Sequence, residues 1–144
     1  MVEPAQLQKY SLFGGLLEEQ IQKILPFLEK EEYEPAEDII VEGTPNDRIR
    51  FILEGQVTVT KNNTPLYQFG TGDTVGEMEV LDVMPSAATI KTLTNTKVLS
   101  ISNRGLREIY KTDIHSFSLI IMNLARDLSR RLRHMNDMLI EKSP

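Results

Sequence analysis

Between Glu31 and Ser102 the apolar residues recur at every second position, a period that suits strands and excludes a helical bundle for the middle of the chain. The runs "DIIVEG", "RFILEGQVTVT", "PLYQFGTGD", "AATIKTL" and "TKVLSIS" are short and rich in Val, Ile, Thr, Phe and Tyr. Such residues pack well on a pleated surface, and turns such as Gly43 to Asp47 and Lys61 to Pro65 separate the runs. In "GQVTVT", Val57 and Val59 alternate with Gln56, Thr58 and Thr60, so one face of that strand is dry and the other wet. About eight short strands at this spacing predict a jelly roll or a small barrel.

Helical periods flank this region. In Leu7 to Lys30 the residues Leu16, Ile21, Ile24, Leu25 and Leu28 are spaced for a small helical cap, punctuated by two glycines and Pro26. From Arg104 onward, "GLREIYKTD" reads as a short helix and His115 to Ile140 as a long one. The long helix carries the stripe Phe117, Ile121, Leu124, Leu128, Leu132, Met135 and Leu139, nearly a heptad seam. On another face Asp127 and Arg131 are spaced as an acid-before-base pair of the kind exposed helices carry. A single domain over 1–144 is expected, with 1–30 as N-terminal helices, 31–103 as β-roll and 104–140 as C-terminal helices. So long a stripe exceeds what a small roll covers, which predicts a homodimer through the C-terminal helix.

Several chemistries are excluded at this stage. The 144 residues include no cysteine, which removes disulfides, thiol nucleophiles and Cys-bearing metal sites. His115 and His134, the two histidines, both lie in the late helical region, and no nucleophile has an adjacent base. The protein is therefore read as not an enzyme, with no metal site. Residues 1–103 carry 8 Lys+Arg against 16 Asp+Glu, a balance of −8. Residues 104–144 carry 8 against 5, a balance of +3, which completes the net −5. An acidic body argues against nucleic acid, since that binding draws on many basic groups. The tail "ARDLSRRLRHMND" interleaves its arginines with acids and reads as a solvated or ion-paired face. The first residues lack a basic stretch ahead of an apolar core, and no apolar run is long enough to span a bilayer, so a cytoplasmic protein without membrane contact is expected.

Taken in order, "SLFGGLLEEQIQKIL", "DIIVEGTPNDRIRFILEGQVTV", "GTGDTVGEMEVLD" and "MPSAATI", followed by two helices, resemble a cyclic nucleotide-binding domain. This is the regulatory module of the catabolite activator protein family and of cyclic nucleotide-dependent kinases. The resemblance covers about Ser11 to Met138 and implies a mainly β fold, a double-stranded β-helix with an N-terminal helical cap and a long C-terminal helix. In the family, "F-G-E-[LM]-[AS]-L" and then "P-R-[AST]-A-T" form a phosphate-binding cassette. Its glutamate holds the ribose hydroxyl, its arginine the cyclic phosphate, and amides at a helix start complete the anion site. By position Gly76 and Glu77 match the glycine and the ribose glutamate, followed by Met78, and Ala87, Ala88 and Thr89 match the small residues after the arginine.

Two departures fall on the phosphate. Ser86 stands where the pattern has arginine, and Glu79 where it has a small residue. Losing a charge-assisted grip costs on the order of 1.5 to 3 kcal/mol, and a nearby like charge adds to that. The sum is a loss of roughly several hundredfold in affinity or worse. An acid in a first helical turn also favours that helix through its dipole, so Glu79 is expected to stand in for the missing phosphate. Arg48, Arg50, Lys91 and the arginines of the long helix are candidates for a compensating base, each expected chiefly as a solvated surface charge. The leading expectation is a noncatalytic regulatory module that binds cAMP or cGMP weakly or not at all and acts by dimerisation and contact with a protein partner. The family's transcription factors carry a helix-turn-helix domain beyond this helix, for which no room is expected before Pro144, so output passes to another molecule. The alternatives are a genuine cAMP or cGMP sensor signalling through its C-terminal helices and a sensor of a different small ligand.

Overall fold

The structure, a computed structural model, describes residues 2–142. Eight strands form two four-stranded antiparallel sheets, ordered β1-β8-β3-β6 and β2-β7-β4-β5. The first holds β1 (Glu29–Tyr33), β3 (Arg48–Glu54), β6 (Thr74–Val75) and β8 (Thr96–Ser102); the second holds β2 (Asp38–Ile40), β4 (Gln56–Lys61), β5 (Thr64–Gly70) and β7 (Thr89–Thr92). This is the expected jelly roll, with helices at both ends of the chain.

The central strands of the first sheet, β3 and β8, are buried on both faces, and their sequence shows why. Along β3, Ile52 joins Ile40, Val57, Val59, Val75, Ile90 and Val98 in a core between the sheets. Its neighbours Ile49 and Phe51 point the other way, with Leu99 and Ile101 of β8, into a second core shared with the helices. Alternate residues therefore serve two cores, which is why "RIRFILE" reads as a near-continuous apolar run rather than a clean alternation. The second sheet covers one core only, and in β4 Val57 and Val59 are buried while Gln56 is exposed.

The amino-terminal region is more broken than its periodicity suggests. It forms α1 (Pro4–Leu7), a 3-10 turn at Ser11–Phe13, α2 (Glu18–Ile24) and a second 3-10 turn at Leu25–Phe27. Gly15, at φ +84, takes a left-handed conformation that ends the first turn, and Pro26 cannot continue a helix. Leu7, Leu12, Phe13, Leu16, Ile21 and Ile24 nevertheless all reach the helical core.

At the other end lie α4 (Asn103–Thr112) and α5 (Ile114–Glu141). Ser102 caps α4 by accepting from the Gly105 amide at 2.9 Å. Asp113 caps α5 by accepting from His115 N at 3.1 Å and Ser116 N at 3.4 Å. The face of α5 that enters the core is Ser116, Ile120, Asn123 and Leu124. It overlaps the near-heptad stripe without following it, because a straight helix drifts about 20° per heptad from a 3.5-residue seam. Leu132 and Met135 of that stripe are exposed. Asn123, itself buried, anchors the proximal half by donating to the Leu12 and Gly14 carbonyls, both at 3.0 Å. Among the described residues no helix is long and apolar enough to cross a membrane.

Candidate functional site

The chain between Val75 and Thr89 forms a glycine turn, the six-residue helix α3 (Glu77–Asp82), a loop and the start of β7. Gly76 caps α3 at φ +82. A Cβ there would lie 2.8 Å from the Arg48 carbonyl oxygen and from Asn46 Nδ2, so the turn needs glycine both for its conformation and for its closeness to the loop before β3. Asn46 closes that approach by donating to the Gly76 carbonyl at 3.1 Å. At the far end Val83 holds φ +58 while exposed, a conformation that costs a residue with a Cβ roughly 1 to 2 kcal/mol.

Glu77 and Glu79 are both buried, whereas Met78 between them is exposed. Glu77 receives a hydrogen bond from Arg131 of α5, whose second amino group donates to the Thr74 carbonyl. The same guanidinium lies over the Phe69 ring, 4.4 Å from its centroid. Tyr67 meets Phe69 edge-on at 5.1 Å. Four elements thus converge: β5 supplies the aromatic wall, β6 a carbonyl, α3 the carboxylate and α5 the cation.

The sequence placed Arg131 on an exposed face, paired with Asp127. That pairing is overturned: Asp127 takes Arg130 at 3.0 Å and Ser11 Oγ at 3.3 Å, and Arg131 turns inward to Glu77. The signal was present, since Arg131 sits seven residues past Leu124, two turns along the buried face of the same helix. Phe69 and Thr74 were not singled out because neither carries charge.

Ser86 is also placed differently from a ligand donor. Its hydroxyl donates to the Thr44 carbonyl at 2.8 Å, its amide to the same oxygen at 2.9 Å, and its carbonyl accepts from Gly43 N at 2.9 Å. These bonds stitch it to the loop after β2. Thr89 Oγ1 accepts from Glu42 N at 3.0 Å in the same seam, while Ala87 is exposed and Ala88 half-buried. The other candidate bases have partners elsewhere: Lys91 pairs with Asp38 at 3.7 Å and Arg48 with Glu29 at 2.8 Å, while Arg50 pairs with Glu31 at 2.9 Å and donates to Asn46 beside the turn at 3.1 Å.

Burial pushes the Glu77 carboxyl above its ordinary value of 4.5, although Arg131 and its own amide pull it down. Burial also pushes Glu79 up; its own amide and Ser86 oppose the shift, and the carboxylates of Glu77 and Asp82 add to it. For Glu79 the helix start therefore does not outweigh burial and like charge. Among the described residues no group of three or more His, Cys, Asp or Glu is arranged to hold a metal ion.

A family model described as the cyclic nucleotide-binding domain matches residues 30–113. The chain is 30% identical over 105 residues to a cAMP-dependent protein kinase regulatory subunit of Aspergillus niger, which covers 72% of this chain and 26% of that protein. It is 28% identical over 127 residues to a cyclic AMP receptor protein of Thermus thermophilus, covering 85% of this chain and 57% of that one. The chain therefore spans between about a quarter and three-fifths of the length of these relatives. A crystal structure of a cyclic nucleotide-binding domain from Methylobacillus flagellatus superposes with a TM-score of 0.87 at 23% identity, over 99% of this chain and 83% of that one.

The raised carboxyls set a sign for pH dependence. Between 4.5 and the raised native values the folded state holds more protons than the unfolded one, so each group's contribution to stability falls as pH rises through that window. Glu79→Gln is expected to melt higher than the wild type near pH 7, with the gap closing towards pH 4.5. Thermal melts across that range check this, and curves that differ by the same amount at every pH contradict it.

Proposed function

The chain belongs to the cyclic nucleotide-binding domain family, and from that premise we propose a noncatalytic regulatory module whose cassette binds cAMP or cGMP weakly or not at all and whose output is contact with other proteins. The observation that carries this reading is the pairing of Glu77 with Arg131. In the family pattern this glutamate receives a ribose hydroxyl. Here a ligand must first displace the half-buried Arg131 guanidinium from the buried Glu77 carboxyl.

The phosphate end supports the same reading. A cyclic phosphate there would meet the Glu79 carboxyl and a Ser86 hydroxyl already donated to Thr44. Gly76 keeps the turn, and Ala87 and Ala88 keep it uncrowded, so the cassette backbone is retained while its charge is reversed. Gly76, Glu77, Met78, Glu79, Ser86, Ala87, Ala88 and Thr89 are proposed as the pocket in this altered form, without a cofactor.

The second reading, a genuine cyclic nucleotide sensor, has one observation in its favour. Arg131 is a cation already at the turn, brought there by the C-terminal helix. Were it to leave Glu77 for a phosphate, it would replace the cassette arginine from a remote position.

For the output we propose a homodimer through α5, supported by Leu132 and Met135, which are exposed at heptad spacing on the distal half of that helix. A cytoplasmic setting follows from the family's regulatory role, and no nucleic-acid contact is proposed.

Isothermal titration calorimetry with cAMP and cGMP, on protein unfolded and refolded to remove copurified ligand, tests the binding claim. No heat is expected up to about millimolar ligand, whereas Ser86→Arg combined with Glu79→Ala is expected to regain at least several hundredfold. A wild-type dissociation constant in the micromolar range would establish the sensor reading instead. For the dimer, sedimentation velocity is expected to give a dimer for the wild type and a monomer for Leu132→Glu. A wild-type monomer at about 100 μM would remove the dimer from the account.

A further inference from the structure

The slot that Arg131 fills is built from groups that recognise a guanidinium. The Glu77 carboxylate and the Thr74 carbonyl each accept one of its amino groups, and the Phe69 ring offers a face 4.4 Å from its carbon centre. None of the three belongs to α5, so the slot remains assembled on the roll wherever that helix goes. A second buried carboxyl, Glu79, lies near enough to feel the charge of Glu77.

The occupant is attached to a lever. Leu124 is the last core residue of α5, Asp127 and Leu128 are half-buried, and beyond Arg131 every described residue of the helix is exposed. Arg131 is therefore the last described residue of α5 that is not exposed. Lifting that half uncovers the Glu77 carboxyl, the Thr74 carbonyl and the Phe69 face together. An anion has no receptor there.

We propose that this slot is a guanidinium receptor: Arg131 is its resident occupant, and when the distal half of α5 lifts, the slot accepts the guanidinium group of another molecule. The inference rests on the functional reading above, in that the cassette has ceased to serve a cyclic phosphate, and it assigns the altered cassette a ligand of opposite charge. The group can arrive as a small guanidino compound or as an arginine side chain of a partner protein.

Arg131→Ala empties the slot, and guanidinium chloride at about 10 mM, far below denaturing concentrations, is the probe. The variant's melting temperature is expected to rise by about 3 °C when the ion is at ten times its dissociation constant. Sodium chloride at equal ionic strength is expected to give no such rise, nor is guanidinium acting on Arg131→Ala combined with Glu77→Gln. The wild type is expected to rise clearly less than the variant, because the tethered Arg131 competes at an effective concentration in the millimolar range. Should Arg131→Ala fail to fold, Arg131→Gln, which keeps a good helix former, is titrated in the same way. No response of the variant, an equal response to sodium chloride, or an equal response of the wild type overturns the proposal. L-Argininamide separates the sources: a matching rise fits a partner's arginine, and a rise with guanidinium alone fits a small compound. Cyclic nucleotide titration of the wild type decides the functional reading separately, since the two probes carry opposite charges.

Discussion

Burying the Glu77 carboxylate under the carboxy-terminal helix obliges the chain to bring a cation to it, and Arg131 is that cation. Much of what is distinctive about the site follows from this requirement. The helix must be long enough to reach from the Asn123 anchor to the turn, and the roll must offer Phe69 and the Thr74 carbonyl where the guanidinium arrives. Even so, burial leaves the Glu77 carboxyl raised, with Arg131 pulling against it. The same low-dielectric setting that makes the contact directional makes it costly to break on one side alone.

The two-sided sheet is what lets a small domain hold this arrangement. Because β3 and β8 feed one core between the sheets and another beneath the helices, the turn at Gly76 and the proximal half of α5 are referred to one rigid layer. Asn46 ties the Gly76 carbonyl to the start of β3, and Asn123 ties α5 to the amino-terminal turn. The distal half of α5 has no comparable core residue among those described. Arg131, half-buried against the roll, is followed by the exposed Leu132 and Met135.

How much of this was legible in the sequence differs by level. The roll was legible because β4, covered on one face only, alternates cleanly and the other apolar runs are short and bounded by turns, and the glycine turn because Gly76 has no substitute at its φ and spacing. The helix boundaries at the amino terminus were not, since an apolar period of three to four does not register the breaks that Gly15 and Pro26 impose. At the site, the two departures Ser86 and Glu79 were visible as residue types, but what they do was not. Ser86 bonds across to Thr44, 42 residues away, and the Glu79 carboxyl is governed by burial rather than by the helix dipole. Arg131 was misassigned because a local rule, the acid four residues before a base, competed with a tertiary partner 54 residues away and lost. Adjacent arginines point about 100° apart on a helix, and in the structure Arg130 keeps the local acid while Arg131 takes the buried one.

The most direct test of the account is amide hydrogen exchange along α5 in the refolded wild type and in Arg131→Lys, which keeps the charge and loses the fork that reaches both Glu77 and Thr74. If Arg131 fixes the distal half of the helix, the amides of residues 125–141 exchange much faster in the variant, while those around Ile120 and Asn123 are unchanged. Equal exchange of the distal half in both proteins would contradict the claim that this contact positions the helix.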